Sequence, residues 1–281
     1  MALIPPHFLD AVVSIGVNTE NGKHWIGTGF LIGRPIMENS IKNYNTFLIT
    51  NKHVLASHDN ILLRFNHSSG VATQDHPVAL VKEGKSVVSH HNDPDIDVAV
   101  FFINPNILNQ AGSKFAFIPL DEQSLDVSGL KEEGVSEGDS IFVLGFPMSL
   151  VGESSNCVIA RSGSIARMRG IIAQQRKDFM IDANVFPGNS GGPVINRPEF
   201  VAIEGTKAIQ RSVLIGVVKS YLPYFDTAIS QQTGRAKISF EENSGLALVE
   251  TVDSIRETVE ICYESYVLPG VEAEKKQPDN N

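Results

Sequence analysis

Short runs of β-branched and aromatic residues, each soon broken by Gly, Pro, Asn or Asp, recur along most of this 281-residue chain. Such a pattern folds as antiparallel β-structure, a barrel or a sandwich, because only a pleated, half-buried surface suits these residues at that spacing. Residues 12–17, 28–33, 46–50, 60–65, 77–81 and 98–103 form a first set of strands, and 140–146, 157–161, 164–168, 179–183, 193–196 and 213–220 a second, with a late run at 246–249. Between them, residues 104–138 carry Pro105, Gly112, Pro119, Gly129, Gly134 and many acids, and are expected to form a linker. Strand counting by itself does not choose between a barrel and a sandwich. One helix is expected over 251–266, where Val252, Ile255, Val259, Cys262 and Tyr266 fall close to helical spacing and Thr251 or Asp253 can cap the start. Residues 272–281 are polar and are expected to be disordered.

The segment Val185-Phe186-Pro187-Gly188-Asn189-Ser190-Gly191-Gly192-Pro193-Val194 presents a serine between glycines after a tight turn and before an apolar run. Gly188 lets the backbone turn so that its N–H and that of Ser190 point the same way. Two such donors make an oxyanion hole, in which one donor contributes about 3–4 kcal/mol to transition-state stabilisation. Gly191 and Gly192 leave room for a substrate backbone. Upstream, Thr50-Asn51-Lys52-His53-Val54 follows the apolar run Phe47-Leu48-Ile49, which sets His53 at a strand-to-turn junction. An imidazole with its ordinary pKa of about 6.5 suits proton shuttling there.

These segments resemble the nucleophile loop and the Thr-Asn-x-His-Val base segment of chymotrypsin/trypsin-like serine proteases, and the asparagine before the serine is most similar to the HtrA/Deg branch. The resemblance implies a His…Asp…Ser triad. Its orienting aspartate immediately precedes a buried strand of the type Asp-x-Ala-x, which Asp97 does before Val98-Ala99-Val100; Asp95 is the alternative. The intervals from His53 to Asp97 and from Asp97 to Ser190 agree with the chymotrypsin triad. Val143-Leu144-Gly145-Phe146-Pro147, Ser162-Gly163-Ser164-Ile165, Gly216-Val217-Val218 and Gly245-Leu246-Ala247-Leu248 extend the resemblance in family order.

The fold so implied is all-β: two antiparallel six-stranded β-barrels, trypsin-like, with a C-terminal helix packed on the second barrel. Residues 1–120 would form the barrel carrying His53 and Asp97, 121–250 the barrel carrying Ser190, and 251–281 the helix and tail. Too little chain follows Val249 for a PDZ module. Ser190 would attack the scissile carbonyl, His53 would take and return the proton, Asp97 would hold the imidazole, and the Gly188 and Ser190 N–H groups would hold the oxyanion. Asn184 would floor the substrate pocket, with Val218, Lys219, Ser220 and Tyr221 as its wall. An uncharged floor favours a small or apolar residue before the scissile bond, while Asp182 keeps a basic preference open. Asn189 stands where zymogen-type trypsins carry an aspartate for the new amino terminus, so activation by clipping is not expected. Regulation would act on loop order around the oxyanion hole, with 167–178 as the candidate segment.

Partners are bounded by charge. A net charge of −9 opposes nucleic-acid binding, which needs clustered Lys and Arg. No run of 18 apolar residues is present, so no membrane span is expected. The start of the chain lacks a signal-peptide pattern, and Cys157 and Cys262 make no disulfide framework, which together suggest a cytoplasmic protein with two buried thiols. His90, His91, Asp93 and Asp95 are metal-ligating types, but neighbours on an extended chain point apart, so neither metal nor cofactor is expected. The substrate is expected to be a protein or peptide. The competing reading is a latent enzyme or pseudoprotease-like binding scaffold that needs an activating protein partner to order its oxyanion loop.

Overall fold

Phe30 and Ile32 face one way from their strand and Leu31 the other, and Phe47, Leu48 and Ile49 repeat the arrangement on the next strand. Side chains on a strand alternate between faces, so an apolar residue at every position means burial on both sides. The structure, a computed structural model, describes residues 3–269 except 39, 71, 153, 202, 203 and 205. The expected disorder of 272–281 therefore lies outside the described residues.

In the first half, β1 (Val12–Thr19), β2 (Gly22–Glu38), β3 (Ile41–Thr50), β4 (Asn60–His67) and β5 (Thr73–Ala79) are followed by the short β6 (Val81–Lys82), β7 (Lys85–Ser86) and β8 (Ser89–His90). Then come β9 (Ala99–Ile103), β10 (Ser113–Lys114) and β11 (Ile118–Pro119). Nine of these form one sheet in the order β10-β4-β1-β2-β3-β9-β8, with β5 on β4 and β11 parallel to β2. The second half holds β12 (Ser140–Gly145), β13 (Ile159–Arg167), β14 (Asp178–Asp182), β15 (Pro193–Asn196), β16 (Leu214–Ile229) and β17 (Ala236–Thr251). These six close into a barrel in the order β12-β13-β14-β17-β16-β15, which leaves no unpaired edge.

One closed six-stranded barrel is therefore present, and the first half is a nine-stranded sheet where a second six-stranded barrel was expected. The run at 77–81 does not stay in the sheet. After β5 the chain leaves it through the β6–β7 hairpin, turned by Glu83 (φ 53°) and Gly84 (φ 74°), a two-residue turn with both residues left-handed. The supposed linker is also structured. It contains α3 (Pro105–Gln110), β10, β11 and α4 (Val127–Glu133), and it buries Leu108, Ile118, Leu120, Leu130 and Val135.

Two further strand expectations change. The runs at 157–161 and 164–168 are one strand, β13, because Gly163 lets the β14 backbone come close: a Cβ there would lie 2.4 Å from the Asp182 carbonyl oxygen. Strands β16 and β17 run far past the barrel, so that residues 223–243 pair only with each other and form an arm. Both faces of this arm meet solvent, with Tyr224, Phe225, Ile229, Ile238 and Phe240 all more than half exposed. No burial pattern marks such a ribbon in the sequence.

Three cores result. One fills the barrel with Ile141, Val143, Phe179, Ile181, Val194 and Val249, and one lines the first sheet with Val13, Ile15, Leu31, Leu48 and Leu63. The third lies between the halves, where Phe30, Phe47 and Val100 meet Leu144, Ile195 and Val217. Helix α6 (Val252–Cys262) adds Val252, Ile255 and Val259 to this middle core. Thr251 caps it by accepting the Ser254 N–H at 3.4 Å. The helix was expected on the second barrel. It also seats on the first sheet, where Arg34 pairs with both carboxylate oxygens of Glu260 at 2.8 Å and stacks 3.7 Å over the Tyr263 ring. Of the two cysteines, Cys262 is buried as expected; Cys157 is exposed, with Ser155 Oγ 3.0 Å from its sulfur.

Candidate active site

Strand β3 ends at Thr50, and Asn51 leads into the single-turn helix α2 (Lys52–Leu55). Val54 and Leu55 are buried and anchor this turn, which leaves the His53 side chain exposed. Facing it is the loop before β9, pinned by buried Ile96 and Val98 on either side of Asp97. The Asp97 carboxylate takes the His53 N–H through Oδ1 at 3.2 Å and lies 2.5 Å from His53 Nδ1 through Oδ2. Its carbonyl accepts from Asn51 Nδ2 at 2.6 Å. Burial works to raise the Asp97 carboxyl, but the His53 hydrogen bond and charge, with backbone N–H groups of His53 and Lys52, outweigh it and hold the group below the ordinary carboxylate range. Asp95, the alternative, is exposed and lies off the imidazole: its N–H bonds Asp93 Oδ1 at 3.0 Å.

The serine loop is built from both halves of the molecule. Gly188 has φ +97°, and a Cβ there would stand 2.3 Å from the Phe146 carbonyl oxygen, so only glycine fits. Thr28 of β2 donates its N–H to the Ser190 carbonyl at 3.0 Å and its hydroxyl to the Gly188 carbonyl at 2.6 Å. Asn189 is fully buried, and its Oδ1 accepts the Phe186 N–H at 3.1 Å, which closes the turn internally. Gly191 (φ +82°) packs on the end of β3, where a Cβ would lie 2.3 Å from Thr50 Oγ1. Thr50 stands just before the turn that carries His53, so this contact sets the serine loop beside the end of β3 from which that turn starts. Ser190 Oγ makes a long 3.5 Å contact with the Lys219 carbonyl oxygen. Among the described residues neither the Gly188 nor the Ser190 amide has an acceptor.

The residues expected around the substrate pocket are placed unevenly. Asn184 is exposed; its Oδ1 and the Asp182 Oδ1 lie 3.7 and 3.8 Å from where a Cβ on Gly245 would be, so both oxygens border the same space. Val218 turns its side chain into the barrel core and offers only its backbone, which bonds Gly191 and Gly192. Ser220 and Tyr221 are half-buried, with the Tyr221 hydroxyl 2.5 Å from Glu241. Lys219 turns its ammonium to Glu250 Oε1 at 2.9 Å and to the Asp95 carbonyl at 2.8 Å.

Glu250 itself was not singled out from the sequence. It is fully buried at the end of β17, and its Oε1 accepts the Asp97 N–H at 2.8 Å. The available signal was a carboxylate directly after the apolar run Leu246–Val249. The segment 167–178 holds α5 (Arg169–Ile172), seated by buried Ile171 and by Glu137, which accepts the Met168 and Arg169 N–H groups. Its Lys177 pairs with Asp93 in the loop that carries Asp97. His91 is drawn instead to Glu257 at 2.7 Å, and among the described residues no three His, Cys, Asp or Glu gather as metal ligands. No described helix is long and apolar enough to cross a membrane.

The model of the trypsin-like peptidase domain matches residues 27–203, well over half of the chain. No curated protein matches the sequence. Among solved structures, the inactive form of Rv3671c from M. tuberculosis H37Rv, as a serine-to-alanine mutant, is similar at 17% identity over 92% of this chain and 89% of that one, with a TM-score of 0.44. A second structure, the Rv3671c protease in its inactive form, is similar at 19% identity over 91% and 90% of the two chains, with a TM-score of 0.46.

Proposed function

This chain belongs to the trypsin-like peptidase family, and on that premise we propose that it is a serine endopeptidase acting through Ser190, His53 and Asp97. The observation that carries the reading is the 2.5 Å contact between His53 Nδ1 and Asp97 Oδ2, made beside the Ser190 loop. Holding Nδ1 leaves Nε2 to take the Ser190 proton as Oγ attacks the scissile carbonyl of a protein substrate. The carbonyl becomes a tetrahedral oxyanion, and the unpaired Gly188 and Ser190 amides are its donors. His53 then returns the proton to the leaving amine, and water hydrolyses the acyl-enzyme by the same route in reverse. The Ser190 hydroxyl points at the Lys219 carbonyl at 3.5 Å, and attack requires that it exchange this long contact for one to His53 Nε2 when substrate binds.

The reading is tested with a fluorophosphonate probe, followed by intact mass and peptide mapping. Stoichiometric label on Ser190, absent in Ser190→Ala and lowered by orders of magnitude in His53→Ala, is the expected result. Folded protein that takes no label counts against an assembled nucleophile. It would direct the search to an activating partner acting on 167–178, whose Lys177 holds Asp93 in the orienter's own loop.

A further inference from the structure

We propose that Glu250 is a positioning residue for the His53–Asp97 pair, holding Asp97 through its main chain while Lys219 balances its charge. The assignment rests on the triad reading above. A carboxylate that orients a histidine must itself be held, because rotation of its backbone would carry the side chain off the imidazole. In this chain both main-chain polar groups of Asp97 are held by side chains. Its carbonyl accepts from Asn51, at the end of β3 in the first sheet, and its N–H donates to Glu250, at the end of β17 in the barrel. The orienter is thus gripped from the two halves of the molecule at once.

A fully buried carboxylate needs a counter-charge, and Lys219 supplies it at 2.9 Å. Lys219 lies on the strand whose backbone meets the nucleophile: its carbonyl takes the Ser190 hydroxyl contact, while its ammonium reaches Glu250 and the Asp95 carbonyl. One residue therefore touches the serine with its backbone and the clamp on the aspartate with its side chain. The other charged groups around the clamp are Lys52 and His90 near Asp97, and Lys177 and Asp178 beside Glu250. None of them takes the Asp97 N–H.

The test follows the His53 ring by NMR titration in a Ser190→Ala background, so that no turnover is needed. A chain that cleaves nothing still reports on the clamp, and the probe experiment above judges the nucleophile separately. Glu250→Gln keeps an oxygen for the Asp97 N–H but removes the nearer of the two carboxylates on Lys219, leaving only Asp178 Oδ2 at 3.7 Å. An extra positive charge opposes the imidazolium, so the His53 titration midpoint is expected to fall by about half a pH unit or more. Adding Lys219→Met to Glu250→Gln removes that charge and is expected to return the midpoint to the parent's. In the Ser190→Ala parent, the Asp97 amide is expected to be protected from hydrogen exchange. A folded Glu250→Gln chain with an unmoved midpoint would overturn the proposal, as would a midpoint that the double variant fails to restore. Should the substituted chains not fold, the parent's Asp97 amide decides: protection supports the clamp, and exchange at the rate of an open amide rules it out.

Discussion

Thr28 donates its backbone N–H to the carbonyl of Ser190 at 3.0 Å, although the two residues lie in different halves of the molecule. The serine loop is therefore not a feature of the barrel alone. Its shape depends on β2 of the first sheet, and the same threonine ties a third segment, because its hydroxyl accepts the Phe146 N–H at 3.1 Å.

Thr28→Val tests that dependence. The side chain is buried, and valine would leave the Phe146 N–H and the Gly188 carbonyl without a partner while keeping the volume. An unpaired buried polar group costs about 1–3 kcal/mol. Stability by urea denaturation is expected to fall by that order, and the rate of fluorophosphonate labelling to fall with it. Labelling at the parent rate would show that the loop holds its form without the Thr28 hydroxyl.

The pair Arg64–Asp75 predicts a pH-dependent contribution to stability. Arg64 forks onto both Asp75 oxygens at 2.6 and 2.8 Å, Lys23 joins them, and the Arg64 guanidinium lies 4.3 Å from the Trp25 ring. Burial pushes the Asp75 carboxyl up, but the Arg64 and Lys23 contacts outweigh it and hold it below the ordinary range. A carboxyl depressed on folding stabilises fully above its unfolded value of about 3.9 and loses that contribution as pH falls through its folded value. Asp75→Asn is expected to cost about 3 kcal/mol near neutral pH, since the Arg64 charge is left buried without a counter-ion and keeps only its bond to the Gly152 carbonyl at 3.0 Å. The gap to the parent should be level above about pH 5 and narrow below pH 4. A gap that does not change with pH, followed by thermal melts, would contradict the assignment.

Helix α6 is expected to hold the halves together. Ile255 is fully buried in the core between them. Ile255→Ala should cost about 3 kcal/mol through lost burial and the cavity left behind. The loss is expected in one cooperative unfolding transition. A second transition, with the barrel melting separately, would mean that the middle core does not couple the halves.

The arm should be dispensable for folding. The strand pairing of residues 225–241 is confined to the arm, Glu241 reaches out of it only to the half-buried Tyr221 hydroxyl, and the large apolar side chains are more than half exposed. Replacing them by Asn-Gly, a two-residue turn suited to closing the Tyr224–Glu242 pair, is expected to change stability by less than about 1 kcal/mol. A large loss of melting temperature would show that the arm folds back on the barrel in solution.

What was legible in the chain was local. The alternation of Phe30, Leu31 and Ile32 marks a strand buried on two faces, Thr251 marks a helix start, and the glycines around Ser190 mark a turn that admits no side chain. Each follows from sterics or periodicity acting over a few residues. The closed barrel was expected only through the family resemblance, because strand counting does not choose between a barrel and a sandwich. The first sheet departs from a second barrel at a turn, Glu83-Gly84, that carries no apolar signal.

The residue types at 53, 97 and 190, and the short-range conformations that expose them, were determined by the sequence alone, because a tight turn or a strand end needs only its own neighbours. Tertiary structure decided which groups meet: that Asp97 and not Asp95 lies against His53, that Thr28 shapes the serine loop, and that Glu250 and Asn51 hold the main chain of Asp97. Those contacts join segments far apart in the chain, and their partners were selected by how two separately patterned halves close on one shared apolar core.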